Sequence, residues 1–387
     1  ITERDWSSDV CSSDLCMTMI LKRVTTKGEM KDFVRLPARL HHESSYYVPP
    51  MWLDERTAYY GRKNPILSNS DFILYVLYDD YGNPIGRTLV YIDFAHNRFY
   101  NVRIGFFGAF ECINDTKAAK LLTDAAEDWL RGKGMDSIRG PIHPVAENWG
   151  FVLEGYDSTP MFMSPWNPEY YHGFFMNYEK AKDLLVYEAD MRKGYTLPER
   201  YKDYLERFQK RYPQIKFRRL DMKNIKEDAR KILDVTNIAL LDNWGYVPLE
   251  LPVMEDMLKK LKLIVDPDAV WILEEGERAI GYCLGFPDIN IIFKRTKGQL
   301  LPFGWFHLLF GSGKLKEYRL FGLAVHPDWH GRGLDAVMYI NLYNHLVHKN
   351  IMMEANYILE DNLRIKNALL KLGMEHTKTY RIYDKAL

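Results

Sequence analysis

A glycine-containing segment between a predicted strand and a predicted helix has the residue spacing best suited to chemistry. Residues 320–325 form an apolar run that predicts a buried strand, and Pro327 ends it. Gly331 and Gly333 then precede a helical pattern that continues to about His348. Glycines let the backbone approach an anion closely, and the free N–H groups of a helix N-terminus point at that anion. The segment therefore predicts a phosphate-binding turn.

The spacing from Val325 to Gly333, Val-x-Pro-x-x-His-Gly-Arg-Gly, resembles the acyl-CoA loop of the GNAT acyltransferase superfamily. A later segment that begins at Asn362 and ends in residues 380–383 is similar to the closing helix and strands of the same domain. The resemblance implies acyl-CoA or acetyl-CoA as co-substrate, bound by an opened strand and the loop that follows it. The cofactor-binding residues that it implies are Leu323, Ala324, Val325, His330, Gly331, Arg332, Gly333, Leu334 and Asn362.

Several positions depart from the superfamily pattern. Leu369 stands where many members have the tyrosine that protonates the thiolate, and His330 stands where Gln or Arg is usual. Asp335 replaces the usual Gly or Ala; its carboxylate would repel a pyrophosphate, or simply stabilise the helix dipole by roughly 0.3–1 kcal/mol. Asn362 either contacts the pantetheine arm or only caps the next helix. These departures leave acyl carrier protein open as an alternative donor.

A faint internal repeat indicates that the chain contains two similar units. Residues 107–110 and the helical pattern after them copy the plan of residues 321–324 and their helix. In the first copy Asp115 replaces the glycines and is predicted to cap the helix, occupying the N–H groups that a phosphate would need. The first unit is therefore expected to bind no cofactor at this position.

The chain from about residue 20 to 385 is similar to a family of tandem GNAT proteins that includes the bacterial ceramide synthases. The segments that carry this similarity are residues 106–111, 140–141, 167–171, 243–248, 287–290 and 331–335. The resemblance implies an α/β fold with mixed sheets, built from two tandem GNAT-like domains, and acyl transfer to an amine. The predicted organisation is a leader that resembles translated adapter sequence at 1–16, a degenerate domain at 17–190, a connector at 191–215 and the thioester-binding domain at 216–387.

Four side chains are candidates for catalytic groups that act on the amine acceptor. Glu111 ends a first-half strand, and Asp288 and Asn290 lie in a turn after a second-half strand. A carboxylate could orient an ammonium or take its proton if its pKa is suitable. Tyr380 could replace the missing acid. The alternatives are that Glu111 is a solvated strand end, that Asp288 and Asn290 are ordinary turn residues, and that Tyr380 is a core tyrosine.

An uncharged apolar segment, residues 298–313, lies between basic flanks. It is rich in Leu, Phe and Trp and predicts an acyl tunnel or a membrane-surface anchor, with a helix buried between the two halves as the alternative.

The composition excludes several classes of protein. Lys plus Arg and Asp plus Glu are equal at 52 each, so the chain has no excess of positive charge that would favour a nucleic-acid partner. Beyond the leader, Cys112 and Cys283 give neither a disulfide framework nor metal-ligand spacing, which favours a reducing cytoplasm and no metal. No uncharged apolar run approaches the roughly 20 residues of a membrane helix. Peripheral contact with a membrane stays open.

Together these patterns predict a cytoplasmic, bacterial N-acyltransferase that moves an acyl group from acyl-CoA, or acyl carrier protein, to an amine, with a lipid amine as one candidate. Three alternatives are a small-amine N-acetyltransferase, an aminoacyl transferase acting on a peptidoglycan precursor, and a non-catalytic acyl-CoA or lipid-binding protein.

Overall fold

The computed structural model describes residues 18–144, 148–262, 264–299 and 314–387. The first-half strands are β1 (Ile20–Arg23), β2 (Ser70–Tyr78), β3 (Pro84–Asp93), β4 (Ile104–Cys112), β5 (Ser137–Gly140), β6 (Phe151–Glu154) and β7 (Glu179–Asp190). The second-half strands are β8 (Ile215–Arg219), β9 (Val270–Glu275), β10 (Arg278–Pro287), β11 (Glu317–Val325), β12 (Met352–Leu359) and β13 (Glu375–Ala386).

The α-helices follow the same two-part order. Those of the first half are α1 (Lys27–Leu40), α2 (Trp52–Ala58), α3 (Phe94–Tyr100), α4 (Thr116–Gly132) and α5 (Tyr171–Phe174). Those of the second half are α6 (Tyr204–Arg211), α7 (Ile225–Ala239), α8 (Leu251–Leu261), α9 (Asn290–Thr296), α10 (Leu334–Leu346) and α11 (Leu363–Lys371).

The described strands form one mixed sheet in the order β1-β2-β3-β4-β5-β13-β7-β12-β11-β10-β9-β8, with β6 paired to β13. Within this order β4 and β5 run parallel, as do β11 and β12, and the other neighbours are antiparallel. The closing strand of each half lies beside the parallel pair of the other half, because β7 pairs with β12 and β13 pairs with β5. The two halves are therefore joined by exchanged strands. The predicted boundaries at 190 and 216 remain a prediction, since this shared sheet does not test where a domain would fold alone.

Local sequence explains the helix that follows β4. Asp115 caps α4, and its carboxylate accepts hydrogen bonds from the N–H groups of Lys117 at 2.7 Å and Ala118 at 2.9 Å. Ala118, Leu122 and other residues of one face pack into the first-half core, which stabilises the helix against the sheet. The predicted cap is confirmed, and the first N–H groups of this helix are already bonded.

The residues of the predicted connector, 191–215, include α6. The mixed α/β fold class is likewise confirmed. Cys112 and Cys283 are buried, free thiols. No helix within the described ranges is long and apolar enough to cross a bilayer. Most of the apolar segment, residues 300–313, lies outside the described residues.

Candidate active site

The parallel pair β11 and β12 opens in the middle of the sheet. Their pairing runs from Glu317 opposite Met352 to Leu320 opposite Ala355 and then stops. Beyond that point β11 continues to Val325, held on its other edge by β10. The backbone groups of β11 that face the opening, in the segment of Leu323, Ala324 and Val325, are therefore available to another extended chain. The family resemblance implied an opened strand at these residues, and their role in binding a cofactor stays a prediction.

The loop after β11 leads to a helix N-terminus without a side-chain cap. Gly331 and Gly333 adopt left-handed conformations with φ of 74° and 82°, and Gly333 is the N-cap of α10. Since the glycine N-cap has no side chain, the N–H groups of Leu334 and Asp335 have no side-chain partner among the described residues, whereas the N–H of Ala336 donates to Asp335 Oδ1 at 3.0 Å. Leu334, the first helical residue, is fully buried and anchors the turn in the core.

Charged and polar side chains surround this helix N-terminus. His330 donates from Nε2 to the Val325 carbonyl at 2.9 Å, so its ring folds back on the strand. The Arg332 guanidinium stacks over Trp329, 4.6 Å from the ring centroid. Asp335 points toward Arg364, whose Nε lies 3.5 Å from the carboxylate. This ion pair offsets part of the repulsion that Asp335 would exert on a phosphate.

Asn362 caps the next helix. Its Oδ1 accepts a hydrogen bond from the Ile365 N–H at 3.2 Å, and its side chain also lines the cavity described below. Leu369, at the position of the missing tyrosine, is fully buried in the second-half core and packs against other apolar side chains.

Two of the amine-side candidates, Asp288 and Asn290, fasten a first-half loop to the second half. The Asp288 carboxylate accepts hydrogen bonds from the N–H of Phe162 at 2.8 Å and of Asn290 at 3.1 Å. The Asn290 amide donates to the Pro160 carbonyl at 2.8 Å. Burial of Asp288 raises its pKa to about 7, despite these hydrogen bonds. Asn290 lines the cavity wall, whereas Asp288 lies behind it.

Tyr380 lies in the centre of the sheet. Its side chain is fully buried among residues of both halves, close to Ser164, and burial raises the pKa of its hydroxyl well above the usual value. Neither Tyr380 nor Asp288 is part of the cavity wall.

Glu111 belongs to a buried polar cluster on the first-half sheet. Its Oε2 accepts hydrogen bonds from His41 Nε2 at 2.7 Å and from the Tyr171 hydroxyl at 2.8 Å. Arg87, from β3, lies between Glu111 at 3.8 Å and Glu55 at 3.9 Å. The cluster draws on α2, β3, β4, α5 and the residue that follows α1, so sequence spacing could not have identified its other members.

Four buried atoms of this cluster have no hydrogen-bond partner in the described protein. They are Tyr47 Oη, Arg87 Nε, His143 Nδ1 and Trp166 Nε1. An unpaired buried polar atom costs about 1–3 kcal/mol, so such a concentration favours a polar ligand at this place.

One cavity of about 1170 Å³ connects the two halves. It includes the open edge of β11, the ring of His330 and the side chains of Asp335 and Arg364. On one side it extends into an apolar lobe, lined by Ile225, Ala229, Ile232, Met254, Leu258 and Leu284. On the other side it reaches a polar lobe, lined by Tyr47, Glu55, Tyr59, Arg87, Glu111, His143 and Trp166.

The two lobes occupy corresponding places in the two halves but differ in chemistry. The apolar lobe lies against α7, α8 and β10, and the polar lobe against α2, β3 and β4. The arrangement can hold an extended polar chain along β11, a hydrocarbon chain in one lobe and a polar group in the other.

No protein-family model matches the chain. Among curated proteins, it is 29% identical over 376 residues to the bacterial ceramide synthase of Caulobacter vibrioides, covering 94% of this chain and 96% of that protein. It is also 27% identical over 381 residues to protein YghO of Escherichia coli, covering 95% of each.

Solved structures share the fold at low sequence identity. A tandem GNAT protein from the clavulanic acid biosynthesis pathway superposes with a TM-score of 0.56 at 10% identity, covering 95% of this chain and 98% of that one. A GCN5-related N-acetyltransferase from Sphaerobacter thermophilus gives a TM-score of 0.52 at 11% identity, covering 95% of each chain. The chain therefore has the tandem GNAT fold that its sequence resemblance implied, and it is similar along nearly its whole length to a bacterial ceramide synthase.

Proposed function

We propose that the chain is an N-acyltransferase that moves a long acyl group from acyl-CoA to an amine. The observation that carries the proposal is a continuous cavity in which the open edge of β11 lies between an apolar lobe and a polar lobe. The second half would bind the thioester and the first half would receive the acceptor. The activity suggested by the name of the Caulobacter vibrioides relative is of the same class.

The residues around β11 fit acyl-CoA. The open edge offers backbone groups to the pantetheine amides, and the uncapped N-terminus of α10 offers N–H groups to the pyrophosphate. Arg364 and Arg332 lie beside that N-terminus and can contribute positive charge. A bound thioester supplies an activated carbonyl carbon. A backbone N–H of the opened strand can donate to the carbonyl oxygen as negative charge develops there.

The apolar lobe supports a long acyl chain rather than an acetyl group. The six side chains named as its lining come from α7, α8 and β10 and are apolar. Each methylene that such a lobe removes from water contributes about 0.8 kcal/mol, so affinity should increase with chain length. A small-amine acetyltransferase has no use for this lobe.

Calorimetric titration with acetyl-, octanoyl- and palmitoyl-CoA tests the assignment. Wild-type protein should bind palmitoyl-CoA most tightly. Met254→Trp should fill part of the lobe and weaken palmitoyl-CoA binding about tenfold or more, while sparing acetyl-CoA. Met222→Trp is the matched control, because Met222 lies on the surface after β8 and outside the cavity.

Transfer itself is measured by mass spectrometry of the acylated amine formed from palmitoyl-CoA and octylamine. Affinity that does not change with chain length would favour the small-amine acetyltransferase. Tight chain-length-dependent binding without transfer would favour the non-catalytic acyl-CoA-binding protein, for which the buried Leu369 is the supporting observation.

A further inference from the structure

The two carboxylates of the polar lobe have different surroundings. Glu111 receives hydrogen bonds from His41 and Tyr171, and Arg87 lies 3.8 Å away. Burial alone would raise its pKa, but the charge and hydrogen bond of His41, together with Arg87, lower it below the usual value. Glu111 is thus held as a carboxylate by two hydrogen bonds to Oε2 and by the charge of Arg87, while no described residue donates a hydrogen bond to its Oε1.

Glu55 accepts one hydrogen bond from the described residues, whereas Glu111 accepts two. Its Oε1 accepts a hydrogen bond from Tyr59, one turn later on α2, at 2.7 Å. Arg87 stays 3.9 Å away because its Nη1 donates to the Phe33 carbonyl at 2.7 Å instead. No described residue donates a hydrogen bond to the second oxygen, Oε2, and the side chain lines the cavity. The side chain is partly buried, with 17% of its area exposed, and a carboxylate oxygen without a protein donor in such a place is a strong acceptor for a ligand N–H group.

The groups around Glu55 also suit a cation. Tyr59, Tyr47 and Trp166 line the same lobe, and the rings of Tyr47 and Trp166 have centroids 6.1 Å apart. An ammonium within about 6 Å of such ring faces is attracted by their electron density. The aromatic wall and the carboxylate therefore favour the same kind of ligand.

We propose that Glu55 binds the ammonium group of the acceptor and takes the proton that must leave before the amine can attack. This inference rests on the proposed function and names the residue that starts the reaction at the acceptor. One proton passes from the R–NH₃⁺ group to the Glu55 carboxylate, and the amine lone pair forms the N–C bond with the thioester carbonyl carbon. The C–S bond breaks with its electron pair on sulfur, and the thiolate takes the proton that the nitrogen then loses.

Tyr59 and His143 position Glu55 for this step. Since the Tyr59 hydroxyl donates to Glu55, its oxygen must accept from His143 Nε2, 3.0 Å away, which places the ring proton on Nε2. Burial and the nearby Arg87 lower the pKa of His143 to about 3, so its ring stays neutral. The chain of hydrogen bonds fixes the orientation of the carboxylate without adding a competing positive charge.

The proton affinity of Glu55 agrees with the role. Burial raises its pKa; the charge of Arg87 on β3 and the hydrogen bond from Tyr59 on α2 lower it, and the charges of Glu111 on β4 and Asp54 on α2 raise it further. Tyr47, before α2, lies near Glu55, and His143, after β5, contacts Tyr59. A carboxylate with a raised pKa can take a proton from an amine at lower thermodynamic cost than an ordinary one.

Binding of octylammonium tests the site without requiring turnover. Trp166 lies in the lobe, so tryptophan fluorescence should report binding. Glu55→Gln should weaken octylammonium binding about tenfold or more, because a charge-assisted hydrogen bond is lost. Binding of octanol, which has the same chain but no charge, should change little. Unchanged octylammonium affinity in Glu55→Gln, or no binding by the wild type, would overturn the proposal.

The pH dependence of transfer from palmitoyl-CoA to octylamine separates catalysis from folding. For the wild type, kcat/KM should fall at acid pH as Glu55 becomes protonated. Glu55→Gln should lower kcat and remove that acid limb, and Glu55→Asp should restore the limb in part. A lower rate with an unchanged limb would assign Glu55 a structural role. Glu55-dependent octylammonium binding without transfer from any acyl-CoA would instead refute the proposed function and leave the ammonium site intact.

Discussion

The left-handed glycines of the α10 turn offer a matched pair of substitutions. Gly331 and Gly333 have φ of 74° and 82°, so an alanine at either position should cost roughly 1–2 kcal/mol in backbone strain. A methyl group on Gly331 would meet open space, whereas one on Gly333 would overlap the hydroxyl of Tyr204 from α6. Overpacking of this kind adds roughly 1–3 kcal/mol. Gly333→Ala should therefore be the more destabilising substitution by that amount.

The role of Tyr204 can be isolated. With Tyr204→Phe the overlapping oxygen is absent, and the next ring atom lies 3.4 Å from the new methyl group, close to ordinary contact. The double variant Gly333→Ala/Tyr204→Phe should therefore be about as stable as Gly331→Ala. Thermal unfolding followed by circular dichroism measures all four variants.

Acyl-CoA binding gives a second measurement below the unfolding transition. Gly333→Ala should weaken palmitoyl-CoA binding more than Gly331→Ala does, since the displaced turn carries the N–H groups of α10. Equal destabilisation by the two alanines, or no recovery in the double variant, would refute the geometry on which this reasoning rests.

Three further predictions concern charge and capping. Asp335→Asn should raise CoA affinity about fivefold at low salt, because Arg364 is then free to face the pyrophosphate. Calorimetry should show this gain shrinking as salt increases. A loss of affinity would mean that Asp335 positions the loop. Asn362→Asp should keep the helix cap and the thermal midpoint but weaken palmitoyl-CoA binding about fivefold, since a carboxylate cannot donate a hydrogen bond to the pantetheine arm. Asn362→Ala should weaken binding and also cost about 1 kcal/mol of folding stability. Full affinity in the Asp variant would mean that Asn362 serves only as a helix cap. Burial raises the pKa of Asp288 from 3.8 to about 7, so between these pH values the folded state binds more protons than the unfolded state, and the free energy of unfolding should fall as pH rises. Urea unfolding at several pH values should show a smaller fall for Asp288→Asn. The same pH dependence in both proteins would show that Asp288 does not titrate in this range.

Much of the candidate site was predictable where its signal is local. The strand, the glycine turn and the uncapped helix follow from residues 320–348, because hydrophobic period and left-handed backbone are properties of neighbouring residues. The contrast with the Asp115 cap of α4 was visible for the same reason. The loss of the usual tyrosine at Leu369 is also a single-position property.

The polar lobe required the tertiary structure. Glu55, Arg87 and His143 belong to a short helix, a strand and a loop that carry no shared spacing, and only their convergence makes a cluster. Asp288 was a candidate carboxylate for the amine side, with an ordinary turn residue as the alternative, but the loop around Phe162 from the other half covers it and donates one of the two N–H groups that its carboxylate accepts. Sequence alone cannot give burial of this kind.

The sequence by itself determined the elements, the order of two similar units and the one-sided glycine loop, since each depends on interactions within a few residues of chain. Only the tertiary structure decided that β7 and β13 are exchanged between the halves, and that the two lobes meet in one cavity. Strand exchange depends on pairing between residues far apart in the chain, such as Tyr187 with Ala355 and Gly140 with Tyr383. No local pattern specifies such a partner, because each closing strand could satisfy its backbone hydrogen bonds in either half of the sheet.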